Sequence, residues 1–303
     1  MDWYTNVIKP QINAMLTDKR YSVNDLKFEE IDKAIIKIYY KRRFVKYFDT
    51  RRFRVDDLRR PYSDEWLKFK KMLMLEIVKI HTYITDLVSI LPVSRGHNML
   101  QKCIRCLQKQ TLRTDIILLV SSDEDRNFAL INGFEFIDVP KTSLINAIKT
   151  GIDYVKNNTD YQSMMICFQN DMLPYDWTKE GSRLLETNDL VGGQRSIIID
   201  RSTDNIYSRK LNNDRAKILV GSVNDLVINS GKMIKRNLID RIRTSITKGS
   251  MDDNDVTLFN NVIATPIKVG VIDGISIIKV IVDGNVSDFI RKHGNSSYND
   301  YEK

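Results

Sequence analysis

Between residues 86 and 177 short β-rich runs alternate with amphipathic segments, and no other feature limits the fold as much. The run Leu87-Val88-Ser89-Ile90-Leu91-Pro92-Val93 is apolar, β-branched and broken by proline, so a buried strand ends there and releases a loop. Ser94, Arg95, Gly96, His97 and Asn98 follow with small or hydrogen-bonding groups. Met99 to Gln108 reads as a helix, Ile116 to Val120 as a second strand and Phe134 to Val139 as a third. Ser143 to Lys156 reads as a further helix and Ser163 to Phe168 as a central strand ending in Gln169-Asn170-Asp171. Strands alternating with helices predict an α/β domain with a largely parallel sheet, and such sheets bind ligands beyond the carboxyl ends of their strands.

Downstream, Leu190-Val191-Gly192-Gly193 begins another sheet segment, and Ile197 to Asp200 with Ile206 to Leu211 reads as a hairpin across Arg201 to Asn205. Ile218 to Ile228 and Ile263 to Ile281 are mostly strand-like. The domain is expected to span residues 86–294, with 295–303 as a polar tail. Residues 1–85 have helical spacing instead: Ile31, Ala34, Ile35, Ile38 and Tyr39, then Trp66, Phe69, Met72, Leu73 and Ile77. Pro61 with Tyr62-Ser63-Asp64-Glu65 makes a break and an N-cap before the second set. The expectation is an N-terminal helical extension.

The formal charge of +8 is concentrated in that extension, because Lys41 to Lys71 carries 12 Lys plus Arg against 5 Asp plus Glu, a local net of +7. Tyr39, Tyr40, Phe44, Tyr47, Phe48 and Phe53 are interleaved with the cations. Two readings fit: a solvated helical face, or a footprint for a phosphate backbone carried by Arg42, Arg43, Arg51, Arg52 and Arg54. No apolar run reaches the roughly 20 residues that span a bilayer, and the first residues do not form a secretion signal. A cytoplasmic location is the default expectation. Cys103, Cys106 and Cys167 are too few for a disulfide framework and read as reduced core side chains.

Taken in order, these segments resemble the large inverting, family 2-like group of GT-A glycosyltransferases. Val88 to Val93 with Leu100 to Thr111 looks like that group's opening strand, nucleotide loop and first helix, and Ile116 to Val120 like its second strand. Asn146-Ala147-Ile148-Lys149-Thr150-Gly151-Ile152 is similar to the helix before the metal motif. Ile166 to Pro174 stands in the place of the Asp-x-Asp strand end, with Gln169 and Asn170 where carboxylates are usual. Gly249 to Leu258 looks like the acidic motif that carries the catalytic base. The resemblance implies a GT-A-like, Rossmann-like mixed sheet flanked by helices, and transfer of a sugar from a nucleotide-sugar donor to a hydroxyl with inversion.

It also implies roles for residues. Pro92, Ser94, Arg95, Ser122, Asp123, Lys149 and Asn170 would bind the donor; Asp171, with His293 as a further ligand, would hold Mn²⁺ or Mg²⁺. Asp253 would be the base, with Asp252 and Asp255 beside it; their mutual repulsion raises a carboxylate toward the range useful in proton transfer. Each also has a structural reading: Asp252 to Asp255 as a helix N-terminus, Asp171 as a turn residue before Pro174, His293 as a surface side chain. The basic segment points to DNA, with a hydroxymethylated base as acceptor; polysaccharide, lipid and protein acceptors remain alternatives. A nucleotidyltransferase and a noncatalytic nucleic-acid-binding protein are the competing classes.

Overall fold

In the computed structural model, which describes residues 25–32, 35–49, 64, 67–68, 71–73, 75–77, 86–93, 97–140, 144–201, 205–210, 217–221, 231–240, 263–281 and 301–302, the N-terminal apolar segment is extended rather than helical. Strands β1 (Leu26–Asp32), β2 (Ile35–Tyr40) and β3 (Arg43–Asp49) form an antiparallel sheet with β2 in the middle. This corrects the helical extension expected there. All six residues of β2 are buried, including Lys37, so the run shows no alternation to betray a strand, and its isoleucines match both periods. Burial of each such isoleucine contributes about 1.5–3 kcal/mol. Helix does follow: the described residues between 64 and 77 are helical, with Leu73 and Ile77, one turn apart, fully buried.

Two residues, Lys41 and Arg42, turn β2 into β3 with φ of 50° and 63°. Positive φ at both central residues is the geometry that matches strand twist in a two-residue hairpin, and non-glycine residues occupy it at a cost of roughly 1–2 kcal/mol each. Tyr40 pairs with Arg43 across the turn, and the Lys41 Nζ lies 5.6 Å from the centre of the Tyr40 ring.

The chain divides into two compact units, one of residues 1–84, 127–135 and 158–160, the other of 85–126, 136–157 and 161–303. In the second unit the strand order is β11-β13-β9-β12-β7-β4-β5-β6. The strands are β4 (Leu87–Pro92), β5 (Asp115–Val120), β6 (Glu135–Asp138), β7 (Ser163–Ile166), β9 (Leu190–Asp200), β11 (Lys217–Gly221), β12 (Lys232–Lys235) and β13 (Ile263–Ile281). β4 pairs in parallel with β5 and β7, while β12 is antiparallel to both β7 and β9, so β9 again runs with β7. The fold is thus α/β with a mixed sheet. β10 (Asn205–Lys210) forms the expected hairpin with β9, β8 (Asp171–Met172) pairs with β13, and β14 (Tyr301–Glu302), from the segment expected to be a polar tail, pairs with β10.

Helices α1 (His97–Gln108), α2 (Asp123–Asn132), α3 (Leu144–Asn158) and α4 (Trp177–Leu185) accompany the sheet. α3 places Ile148, Ile152 and Val155 in one core with Ile90, Leu190 and Ile234. α4 buries Trp177, whose Nε1 donates to Gly231 O at 2.9 Å. Glycine is required opposite that indole, because a Cβ on Gly193 would stand 2.3 Å from Trp177 Cη2. No helix among the described residues is long and apolar enough to cross a membrane.

Candidate functional site

Parallel pairing of β4, β5 and β7 brings their carboxyl ends to one edge. Pro92 ends β4 and is buried; Ser122 and Asp123 follow β5; Asn170 and Asp171 follow β7. A cleft of about 270 Å³ opens there, lined by Val120, Ser121, Ser122, Asp123, Arg126, Asp138 and Val139.

Ser122 caps α2: its Oγ accepts from the Asp125 backbone N–H at 3.2 Å and donates to Asp125 Oδ2 at 2.6 Å. The other Asp125 oxygen lies 2.9 Å from His97 Nε2, which ties the head of α2 to the head of α1. Arg126 donates through Nε and Nη2 to Asp138 Oδ1 at 3.1 and 2.9 Å, and its Nη1 lies 3.7 Å from Asp123. Three carboxylates in the first turn of α2 complement its helix dipole and repel phosphate. Of the carboxylates, Asp123 and Asp138 line the cleft and accept hydrogen bonds, so it suits hydroxyl and amino groups such as those of a ribose or base. α1 has no acid in its first turn, so the positive end of its dipole suits an anion better.

Gln110 organises the adjoining loop. Its Nε2 donates to Cys106 O at 3.1 Å and Pro174 O at 2.8 Å, and its Oε1 accepts from Thr178 N at 3.0 Å and Thr178 Oγ1 at 3.3 Å. One buried amide therefore joins the end of α1 to both sides of the turn that opens α4. Asp171 N donates to Phe168 O at 3.0 Å, and Asn170 O accepts from Val280 N at 3.0 Å, which fixes the backbone of Asn170 and Asp171.

The Asp171 carboxylate is 1% exposed. Burial, then the neighbouring Cys167 and Asp171, pushes the Cys103 thiol well up; burial and then Asp171 does the same to Cys167. Both thiols stay protonated at neutral pH and neither is a thiolate ligand. Asn170 and Asp171 offer oxygen donors, which fit a hard divalent cation such as Mn²⁺ or Mg²⁺. Among the described residues no group of three His, Cys, Asp or Glu side chains is placed to hold a metal.

Lys149 lies half-buried in the N-terminal half of α3, and Asp123 is exposed at the head of α2. Ser94, Arg95, Asp252, Asp253, Asp255 and His293 lie outside the described residues, as do Arg51, Arg52 and Arg54. Arg42 is exposed at its hairpin turn. Arg43, expected to grip a polyanion, is 5% exposed with its Nε 3.0 Å from Asp160 Oδ1, so its charge serves an internal ion pair within the first unit. Sequence reasoning missed Asp125, Arg126, Asp138 and Gln110. The first was within reach, since Ser122-x-x-Asp125 has capping-box spacing; the others act through partners distant in the chain.

No protein-family model matches the sequence, and no curated protein matches it. Among solved structures the chain is similar to a form of S. aureus TarS spanning residues 1–349, with a TM-score of 0.46 at 9% identity over 65% of this chain and 60% of that one. GalNAc-T7 with UDP, GalNAc and Mn²⁺ gives 0.42 at 10% identity over 68% and 47%. The 4-diphosphocytidyl-2C-methyl-D-erythritol synthase of Anaerococcus prevotii gives 0.41 at 11% identity over 69% and 95%. The chain spans less than two thirds of the TarS and GalNAc-T7 chains. With all three TM-scores below one half, the chemistry of the site rests on its own residues.

Proposed function

We propose that this chain is a GT-A-like glycosyltransferase that moves a sugar from a nucleotide-sugar donor to an acceptor hydroxyl with inversion. The observation that carries the reading is the gathering of a carboxylate-lined cleft, an acid-free helix N-terminus and the Asn170-Asp171 turn along one edge of the parallel strands. Ribose and base would bind between Ser122, Asp123 and Asp138, which accept their hydrogen bonds. The diphosphate would lie toward the head of α1, with Arg95 and Lys149 as its cations. A divalent cation held by Asp171 and Asn170, with His293 as a further ligand, would neutralise charge on the departing diphosphate. Asp253, backed by Asp252 and Asp255, takes the proton from the acceptor hydroxyl as it attacks.

For the acceptor we propose DNA carrying a hydroxymethylated base, on the strength of the basic segment with Arg42, Arg51, Arg52 and Arg54; Arg43 is not part of that proposal. The test is a donor screen with Mn²⁺ or Mg²⁺, following nucleoside diphosphate release with and without such DNA. DNA-stimulated release together with a sugar mass on the DNA supports both proposals. Release indifferent to DNA keeps the transferase and discards the acceptor. Transfer that survives Asp253→Ala discards the base, and a chain that binds no nucleotide sugar discards the transferase.

A further inference from the structure

The side-chain amide of Gln194, 1% exposed, has no hydrogen-bond partner at either Oε1 or Nε2 among the described residues. Desolvating an amide without replacing its hydrogen bonds costs roughly 1–3 kcal/mol, so a buried group in that state requires a reason. Its surroundings supply one.

β9 pairs with β12 at Leu190 and Val191 and with β10 only from Arg195 onward, so Gln194 stands where β9 changes neighbours. On its other edge the pairing with β13 skips from Ile272 to Ser276, a bulge containing Gly274 at φ 75°. Neither edge gives the amide a regular ladder to lie against. Leu190 pairs with Ile234 and Ile234 with Met164, which aligns β9 with β7, and the pair Ile90 with Ile166 aligns β7 with β4. Counted forward along these parallel strands, Gln194 is level with Phe168 and Pro92, at the carboxyl edge where Asn170 and Asp171 depart.

Alternation fixes the face. Leu190 belongs to the core under α3, whereas Gly193 faces Trp177, so Gln194 points to the α3 side. Lys232, 0% exposed, pairs with Ile166 of the same core and lies on that side too. Gly192, between Leu190 and Gln194 on this face, adds no side chain. Lys149 sits in the half of α3 nearest this edge, because α3 runs from the end of β6 back toward the start of β7. The apolar face thus ends in a buried cation and an amide that offers two donors and an acceptor. A polyhydroxylated group supplies the donors and acceptors that this amide can use.

We propose that Gln194 is a specificity-determining residue that hydrogen-bonds hydroxyl groups of the sugar carried by the donor. The inference rests on the glycosyltransferase reading above and adds a residue to it. The amide would find in the sugar the partners it lacks in the free protein.

The test compares wild type, Gln194→Leu and Gln194→Met in ligand-free melting, and in calorimetric affinity for UDP and other nucleoside diphosphates and for their sugar conjugates. UDP is a sensible first probe, being present with TarS and GalNAc-T7 in their crystals. Either apolar substitution removes an unpaired buried amide, so the ligand-free protein should melt higher, not lower. Affinity for the nucleoside diphosphate should stay within about twofold, while affinity for the nucleotide sugar falls about tenfold. Lower melting in both variants would mean that an ordered water already satisfies the amide, and would overturn the assignment. Equal effects on both ligands, or none on either, would overturn it as well. If wild type binds nucleotide sugars but the variants behave like it, only Gln194 is discarded; if wild type binds none, the transferase reading falls and the assignment with it.

Discussion

Replacing Gln110 with methionine should cost this protein about 3 kcal/mol, although the two side chains have nearly the same volume and the residue lies outside the cleft. The amide is 7% exposed and supplies a donor to Pro174 O and an acceptor to Thr178 N; Pro174 O also accepts from Trp177 N at 3.1 Å, so it keeps one bond when the amide is lost, whereas Thr178 N depends on Gln110. Thr178 Oγ1 keeps its own bond to Leu112 O at 2.6 Å, and the Cys106 carbonyl stands at a helix end, so those two contacts add little. Leaving Thr178 N unpaired costs roughly 1–3 kcal/mol and losing one of the two bonds to Pro174 O roughly 0.5–1.5 more, a range of about 1.5–4.5 centred near 3. For a unit of this size that is a fall in melting temperature of roughly 6–12 °C. The assay is calorimetric or fluorescence-detected melting of wild type and Gln110→Met, with Gln110→Glu as a companion. Glutamate keeps the acceptor for Thr178 but turns an oxygen toward Pro174 O and Cys106 O, so it should be at least as damaging. A loss below about 1 kcal/mol in both variants would refute the idea that this amide holds the Asp171 loop to α1.

Ser122→Ala removes the cap of α2 and the hydroxyl donor to Asp125, and should lower stability by about 1 kcal/mol in denaturant titration. The same variant should weaken nucleotide binding, measured by calorimetry, because Ser122 also lines the cleft. Cys103 and Cys167, with thiols raised by burial, hold their protons in the folded chain at pH values where the unfolded chain releases them. Their contribution is therefore complete below the unfolded thiol pKa of about 8.5 and declines as pH rises through it, so stability measured from pH 7.5 to 10 should fall, and less in a Cys103→Ala, Cys167→Ala double variant. The double variant starts from lower stability because of the cavities it creates, so the slope, not the level, is the readout.

The sequence was most readable where strand and helix differ in period and turn residues separate them. β4, β5, β6 and β7 lie where their apolar runs predicted, and α1 and α3 carry the expected amphipathic spacing. β2 was misread because a strand buried on both faces loses its alternation, leaving isoleucine spacing that a helix also satisfies. At the site, the carboxyl edge followed from strand order, so Pro92, Ser122 and Asp123 fall on it as the order implies. Arg43 shows the limit: its partner Asp160 is far along the chain, and nothing near Arg43 distinguishes an internal ion pair from a surface cation. Gln110 and Gln194 are unremarkable in sequence, and only the third dimension separates an amide bonded on both sides from one with no partner among the described residues.

The parallel pairing of β9 with β13 also dictates the order in which the protein can be completed. Leu190 waits for Val269 and Asp200 for Ile281, so during synthesis a strand at the middle of the sheet is exposed until a much later segment leaves the ribosome. Its free edge toward β13 is long and rich in isoleucine, the composition that templates pairing between separate chains. Closing so distant a contact is slow, because the loop between the strands must lose its freedom before the pairing stabilises anything. Expression at low temperature or with chaperones should therefore raise the soluble yield, and any chain interrupted before Ile263 should aggregate even though most of its helices and strands are already present.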